Sequence, residues 1–291
     1  MKKILVTGGS GLLGSKVVSL AESEYQVIPT HFKDSLFLNS VRLDITNKRE
    51  VFQNIQRFRP DIVIHAAAET NVDRCEKEKQ RAWKTNVEGT SNLAEICGRI
   101  NAKMIYVSTD YVFDGEKGLY AEEDKPNPVN YYGLTKLKGE ELLAKCCEDY
   151  IIVRTSVLYG WNPRKLNFAT WIIDSLRQNL KIQVVDDHFN SPTLADNLAQ
   201  ALVETLEKGL SGLFHMAGSE RISRYDFSVK VAETFDLDTS LIKPIKMNEL
   251  KAWIAKRPRD SSLNVEKAKK VLKTKFWNVQ ESLNIMKTKL K

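Results

Sequence analysis

Two residues able to exchange a proton lie four positions apart near the middle of the 291-residue chain. Tyr132 and Lys136 stand at the start of a helix predicted over residues 131–145. Residues i and i+4 lie on the same face of a helix, so the phenol and the ammonium are neighbours. A free phenol has a pKa of about 10, and a nearby cation lowers it toward neutrality. The pair suits an acid that protonates a carbonyl oxygen.

A third group comes from the end of the preceding predicted strand. Ser108 and Thr109 follow the apolar residues 104–107, and a strand-end hydroxyl can complete a set with Tyr132 and Lys136. A tyrosine and a lysine at this spacing also occur as a simple surface pair, because both residues are common on helices. The other motifs of the chain therefore have to distinguish a catalytic set from a surface pair.

A glycine-rich segment lies between the first predicted strand, residues 3–7, and the first helix. Its G-x-x-G-x-x-G pattern suits a tight turn, close approach of the backbone to a pyrophosphate, and close packing of helix on strand. The helix N-terminus adds free N–H groups for the phosphates. A turn without a ligand is the alternative, but the position favours a dinucleotide site. The predicted cofactor residues here are Gly8, Ser10, Gly11, Leu12, Leu13 and Gly14.

The end of the second predicted strand, residues 25–29, bears on which dinucleotide is bound. In NAD sites an acidic residue there holds the ribose 2′-hydroxyl, but this chain has no carboxylate before Asp34. His31 and Lys33 suit the 2′-phosphate of NADP instead, unless both simply face solvent. NADP is therefore the predicted cofactor, with NAD as the alternative.

Two further segments can contact the cofactor. Asp44 and Ile45 follow a short strand and can meet the adenine edge, although Asp44 can instead cap the next helix. Small residues after the strand at residues 61–65 let the backbone pass close to the cofactor. These are Ala66, Ala67 and Ala68.

The alternation of strands and helices up to residues 151–154 predicts the fold. It is of the α/β class, a Rossmann-type doubly wound parallel sheet with its ligand at the C-terminal ends of the strands. After Tyr159 shorter elements indicate a smaller C-terminal α/β substrate-binding domain. The predicted domains are residues 1–159 and 160–291, with some C-terminal segments packing back on the first.

Composition argues against several other classes of protein. Hydrophobic residues make up 42% and charged residues 28% of the chain, as in ordinary globular enzymes. The net charge of +7 helps attract phosphate-bearing ligands, but no nucleic-acid-binding module is visible. No apolar run is long enough for a signal peptide or a membrane span. The four cysteines form no C-x-x-C pair, and no metal site is predicted. A cytoplasmic protein is expected.

Taken in their order along the chain, these motifs resemble those of the extended short-chain dehydrogenases/reductases that act on nucleotide sugars. The markers are the glycine-rich turn, Asp44, residues 66–68, Asn86, Ser108-Thr109 and Tyr132 with Lys136. Within that superfamily the chain resembles the dTDP-4-dehydrorhamnose reductases through residues 108–115 and 132–140. Further matches extend over nearly the whole chain and include Arg154-Thr155-Ser156, Asn167-Phe168, Ser191-Pro192-Thr193 and residues 257–264.

The resemblance implies NADPH-dependent reduction of dTDP-4-dehydro-L-rhamnose to dTDP-L-rhamnose. Tyr132 would protonate the C4 carbonyl oxygen, Lys136 would hold the nicotinamide ribose and lower the phenol pKa, and Thr109 would orient the carbonyl. The resemblance also implies that Ser108 and Asn86 belong to the cofactor site, where Asn86 would fix the backbone and a water molecule. The implied substrate contacts are Thr70, Tyr111, Val157, Asn167 and Arg257.

Some positions leave the function open. Val157 stands where bacterial rhamnose reductases typically have a tryptophan that packs on the sugar nucleotide. Residues 120–124 and 213–218 look at least as much like the regulatory β-subunit of methionine adenosyltransferase. An NADP-binding partner of a synthetase is therefore the alternative, and a nucleotide-sugar epimerase is a third. Dehydration is disfavoured because Asp110 is followed by Tyr111 rather than by a second carboxylate. The chain is expected to form a homodimer or, under the alternative function, a complex with a synthetase.

Overall fold

A seven-stranded parallel sheet forms the centre of the computed structural model, which describes residues 1–290. The first half of the chain comprises β1 (Lys3–Thr7), α1 (Leu12–Ala21), β2 (Gln26–His31), β3 (Val41–Arg42), α2 (Lys48–Phe58), β4 (Ile62–His65), α3 (Val72–Lys77), α4 (Lys79–Trp83), α5 (Gly89–Ile100), β5 (Lys103–Thr109), α6 (Tyr131–Cys146) and β6 (Tyr150–Thr155). The second half comprises β7 (Leu158–Tyr159), α7 (Phe168–Arg177), β8 (Ile182–Val185), β9 (Phe189–Asn190), β10 (Thr193–Leu194), α8 (Ala195–Glu207), β11 (Gly212–His215), β12 (Ile222–Ser223), α9 (Arg224–Thr234), β13 (Ile242–Ile245), α10 (Glu266–Val271) and α11 (Val279–Thr288).

The strand order confirms the predicted fold class. The sheet runs β11-β6-β5-β4-β1-β2-β3, and each neighbouring pair is parallel. The chain winds from β1 to β3 in one direction and then returns to add β4, β5 and β6 on the other side. Ligands of open α/β sheets bind at such a reversal, outside the carboxyl ends of the strands. In β1, Ile4, Leu5 and Val6 are fully buried, as expected for a parallel strand covered on both faces.

Two elements from beyond residue 159 belong to the layers of this sheet. Strand β11 pairs with β6, with Leu213 opposite Ile152. Helix α8 packs beside α1, since Leu198 and Val17 share one hydrophobic core. By contrast, α7, α9 and α11 enclose a separate core. The chain thus passes into the smaller unit and returns to the first, and the domain boundary at residue 159 stays a prediction.

The helix predicted over residues 82–100 is interrupted. A π-helical turn at Lys84–Glu88 separates α4 from α5. Within this turn the Asn86 side chain accepts a hydrogen bond from the Glu69 backbone N–H at 2.8 Å and donates to the Thr135 hydroxyl at 3.0 Å. Such turns re-aim one side chain within a helix. The spacing of apolar residues does not predict this π-helical turn, because the turn is associated with polar contacts between Asn86 and segments distant in sequence.

No helix in the part of the chain that the structure describes combines the length and the apolar character needed to cross a membrane. The longest, α6, has 16 residues and carries several charged side chains.

A buried ion pair joins α6 to the sheet. The Glu140 carboxylate and the Arg154 guanidinium are 2.7 Å apart, with side chains only 5% and 4% exposed. Arg154 donates through both Nε and Nη2, and the Ser108 hydroxyl donates to the same carboxylate at 2.5 Å. The pair therefore connects the middle of α6 to the ends of both β5 and β6.

Replacing Arg154 with methionine would leave the Glu140 carboxylate buried without its cation. We expect the free energy of unfolding to fall by about 3–5 kcal/mol, measured by urea denaturation. Lys138→Met is the matched control on the same helix, because the pair between Lys138 and Glu141 is 41% and 51% exposed. An exposed pair contributes about 0–1 kcal/mol. Equal losses in the two variants would show that the buried pair does not hold α6 on the sheet.

Candidate active site

The glycine-rich turn lies between the carboxyl end of β1 and the N-terminus of α1. Gly8 has a φ of +68°, in the left-handed region that favours glycine. A Cβ atom on Gly14 would lie 2.2 Å from the Gly8 carbonyl oxygen, so only glycine lets α1 pack this close. A Cβ on Gly11 would meet only that same oxygen, at 3.1 Å. Gly11 therefore leaves open space in front of the free N–H groups of α1.

A cleft of about 560 Å³ extends from this turn along the carboxyl ends of the central strands. It brings together most of the residues that the sequence singles out. Those lining it are Gly8, Ser10, Gly11, Leu12, Leu13, Gly14, Ala66, Ala68, Thr70, Ser108, Thr109, Tyr111, Tyr132, Lys136, Val157 and Asn167.

Thr109, Tyr132 and Lys136 meet in this cleft. Thr109 ends β5, and Tyr132 lies in the first turn of α6. The Thr109 hydroxyl donates to the Asp110 carboxylate at 3.1 Å, and it also acts on the Tyr132 phenol. The Lys136 ammonium donates to the Val107 carbonyl oxygen at 2.7 Å and lies 4.0 Å from the centroid of the Tyr106 ring. The strand end and the helix thus supply a hydroxyl, a phenol and an ammonium to one place.

Burial governs the protonation of the phenol and the ammonium. It raises the pKa of Tyr132 above its usual value, and the interaction with Thr109 opposes this only in part. Burial lowers the pKa of Lys136 to about 7, against the opposing influence of the Glu140 carboxylate. The net shift of the Tyr132 pKa is therefore upward, and the expectation that Lys136 lowers this pKa stays a prediction. Tyr132 is protonated at neutral pH, which is the state that a proton donor needs.

Three of the predicted cofactor residues lie at the edge of the sheet, away from the cleft lining. His31 Nδ1 is 2.8 Å from the Ser40 hydroxyl, and Lys33 is exposed. The Asp44 carboxylate accepts hydrogen bonds from the Thr46 backbone N–H at 2.9 Å and from its hydroxyl at 2.8 Å. These contacts are local, and none of the three side chains lines the cleft, although the loop after β2 is bonded to the glycine-rich turn through Leu36 and Ser10.

Four other predicted residues serve packing or structural contacts. Ile45 is buried, and Ala67 packs against the same core. Asn86 holds the loop after β4 through its bonds to backbone atoms, as described above. Arg257 pairs with Asp73 of α3 at 2.8 Å and is not among the residues that line the cleft, although its charge acts on Tyr111 there, and its contact with substrate stays a prediction. Its partner is 184 residues away in sequence, so no local pattern could reveal the pair.

Several polar residues that the sequence analysis did not assign to the site also line the cleft. They are Asp110, Asn162, Arg164, Lys165 and Arg224. Arg164 and Lys165 are adjacent cations in the loop after β7, and this local pattern is a sequence signal for an anion-binding loop. Arg164 reaches across the cleft and donates to the Ser35 carbonyl oxygen, in the loop after β2.

The charged groups lining the cleft are mostly cationic. Lys136, Arg164, Lys165 and Arg224 face a single carboxylate, that of Asp110. Asp110 is buried and accepts hydrogen bonds from Ser156 at 2.8 Å and Ser261 at 2.5 Å. Burial raises the pKa of this carboxyl. A cleft of this charge attracts ligands that carry several phosphates.

The doubly wound sheet and the hydroxyl–phenol–ammonium set place the chain in the class of extended short-chain dehydrogenases/reductases. Within that class, the chain belongs to the RmlD substrate binding domain family, whose model matches residues 1–291. The resemblance inferred from the motifs is thereby confirmed.

The chain is similar to a dTDP-4-dehydrorhamnose reductase from Aggregatibacter actinomycetemcomitans, with 34% identity over 281 residues that cover 92% of either protein. It is also similar to methionine adenosyltransferase 2 subunit beta from Bos taurus, with 31% identity over 90% of this chain and 80% of that protein. Among solved structures, dTDP-4-dehydrorhamnose reductase from Bacillus anthracis in complex with NADP matches with a TM-score of 0.91. Its identity is 32%, over 99% of each chain.

The lowered pKa of Lys136 predicts a pH-dependent stability difference. Between pH 7 and 10.5 the unfolded chain carries the ammonium proton while the folded chain has lost it. Because the unfolded state then binds more protons, the wild type should gain stability relative to Lys136→Met as pH rises through this window. The slope should approach but not exceed about 1.4 kcal/mol per pH unit. Urea denaturation at several pH values measures it, and parallel curves for the two proteins would contradict the prediction.

Proposed function

We propose that the protein uses NADPH to reduce the 4-keto group of a nucleotide sugar, with dTDP-4-dehydro-L-rhamnose as substrate and dTDP-L-rhamnose as product. The observation that carries this proposal is the convergence of Thr109, Tyr132 and Lys136 in the cleft that begins at the glycine-rich turn. The NADP complex of the Bacillus anthracis relative supports the coenzyme. The name of the Aggregatibacter relative supports the substrate.

NADPH, when bound, supplies the hydride that reaches C4 of the sugar. The glycine-rich turn, including Gly11, would hold its pyrophosphate through backbone N–H groups at the start of α1. Lys136 would hold the nicotinamide ribose, since its ammonium lies in the cleft beside the end of β5. Ser10, which accepts a hydrogen bond from the Leu36 N–H at 3.0 Å, ties the turn to the loop after β2.

The remaining chemistry is proton transfer and orientation by side chains of the chain itself. Tyr132 holds its proton at neutral pH because it is buried, and would give it to the developing alkoxide at the sugar C4. Thr109 would orient the carbonyl, because its hydroxyl already interacts with the phenol. Tyr111 and Val157 line the cleft beside this set and would contact the sugar.

A second candidate function is supported by the bovine relative. Methionine adenosyltransferase 2 subunit beta matches 90% of the chain, so a role as an NADP-binding partner of a synthetase is the alternative. The complete hydroxyl–phenol–ammonium set favours catalysis, since a binding role does not require a proton donor. Fold and motif can persist without activity, however, so turnover has to be measured.

The direct test follows NADPH oxidation at its near-ultraviolet absorbance, with dTDP-4-dehydro-L-rhamnose as substrate. We expect Tyr132→Phe to lower kcat by about 10²–10⁴-fold, because only the proton donor is lost, while the affinity for NADP⁺ is unchanged. Tyr131→Phe is the matched control, since Tyr131 stacks with Lys79 outside the cleft. Turnover that persists in Tyr132→Phe would refute its role. No turnover in a wild-type protein that binds NADP⁺ would favour the regulatory alternative.

Gly11→Val tests where the dinucleotide binds. The side chain would fill the open space in front of the turn, so we expect the Kd for NADP⁺ to rise at least tenfold, about 1.4 kcal/mol. Isothermal titration calorimetry measures the Kd, and an unchanged thermal unfolding midpoint shows that the variant is folded. Equal affinity in a folded variant would place the pyrophosphate elsewhere.

A further inference from the structure

Arg224 is a cation of the cleft with a defined position. It is the first residue of α9, and its backbone N–H donates to the His188 carbonyl oxygen at 3.0 Å. Its guanidinium carbon lies 4.6 Å from the centroid of the Phe168 ring. The guanidinium also interacts with the Tyr111 hydroxyl. Side-chain contacts with two separate elements, at Phe168 and Tyr111, therefore position the guanidinium in the cleft.

The charge of Arg224 is not matched by a neighbouring carboxylate. Arg221, three residues earlier, pairs with Asp260 at 2.6 Å, whereas Arg224 forms no ion pair within 4.0 Å among residues 1–290. Asp110 acts on it from farther away and already accepts hydrogen bonds from two serine hydroxyls. A partly buried cation without a close counter-charge is stabilised when a ligand supplies the negative group.

A second feature beside Arg224 also attracts an anion. The ten-residue helix α7 begins at Phe168, whose ring contacts the guanidinium. Its N-cap Asn167 lines the cleft, and the Asn167 side chain accepts the hydrogen bond of only one first-turn N–H, that of Thr170. The other N–H groups of this turn have no acceptor within the helix and carry its positive dipole end. The helix end and the guanidinium thus act on the same part of the cleft.

We propose that Arg224 binds the diphosphate of the nucleotide-sugar substrate. This assignment rests on the proposed function and specifies which residue anchors its substrate. The rings of Tyr111 and Tyr132 are 6.1 Å apart, and the Tyr111 hydroxyl interacts with Arg224, so Tyr111 contacts both residues. A diphosphate held at Arg224 would therefore leave the attached sugar within reach of Tyr111 and Tyr132.

Arg164 has a different position in the same cleft. Its guanidinium binds the Ser35 carbonyl oxygen, in the loop that a bond from Leu36 to Ser10 ties to the glycine-rich turn. Arg164 thus lies beside the glycine-rich turn, whereas Arg224 contacts Phe168 and Tyr111. A loss of substrate affinity without a loss of dinucleotide affinity would therefore identify Arg224 as the diphosphate anchor.

The test is calorimetric titration of wild type, Arg224→Gln and Arg224→Lys with thymidine 5′-diphosphate and, separately, with NADP⁺. We expect Arg224→Gln to weaken thymidine diphosphate at least tenfold and to leave the Kd for NADP⁺ within twofold. Arg224→Lys keeps the charge but loses the two-pronged geometry, so its loss should be smaller. Lys230→Gln is the control, because it removes the same charge from the same helix at a site paired with Glu220.

The outcomes separate this assignment from the proposed function. Equal affinity of wild type and Arg224→Gln for thymidine diphosphate would overturn the assignment and leave the proposed function standing. A parallel loss of NADP⁺ affinity would also overturn it, because Arg224 would then serve the dinucleotide. Failure of wild type to bind thymidine, uridine or guanosine diphosphate would overturn the proposed function itself. If Arg224→Gln does not fold, Arg224→Lys decides by the same comparison, with at least a threefold loss expected.

Discussion

Glu140 and Arg154 form the ion pair on which the geometry of the site depends. The pair is buried, so its geometry is maintained only while both charges and the Ser108 hydroxyl remain in contact. Helix α6 carries Tyr132 and Lys136, and β5 carries Thr109. Ser108 is next to Thr109, and Glu140 lies one helical turn from Lys136, so the pair and Ser108 join the two elements close to the reactive groups. Small shifts of α6 would therefore separate the phenol from the strand-end hydroxyl. Glu140 also favours the charged form of Lys136 against the effect of burial.

Local spacing in the sequence was sufficient to predict the sheet, the glycine-rich turn and the meeting of strand end and helix. Each of these depends on short-range constraints: a positive φ at Gly8, close packing at Gly14, and one helical turn between Tyr132 and Lys136. The order of strands and helices then required the carboxyl ends of the strands to share one edge. The sequence therefore predicts those cleft residues whose positions depend on backbone geometry alone.

Contacts between distant segments could not be predicted in this way. Arg257 is held by Asp73 of α3, and Arg224 enters the cleft from a part of the chain with no motif of its own. The π-helical turn around Asn86 likewise depends on polar partners that are far away in sequence. The protonation of Lys136 depends on how deeply α6 is buried, which the residue types do not reveal. The ion pairs and the protonation states of side chains depend on neighbours that only the folded chain brings together, whereas backbone geometry depends on local sequence.

The fate of the hydride shows whether the protein reduces a 4-keto nucleotide sugar. NADPH labelled with deuterium at the transferred position of the nicotinamide would be incubated with the protein and dTDP-4-dehydro-L-rhamnose. Proton NMR of the isolated sugar nucleotide locates the label. Our account predicts dTDP-L-rhamnose with deuterium at C4 in a single configuration. A product with protium at C4, or no product from a protein that binds NADP⁺, would contradict it.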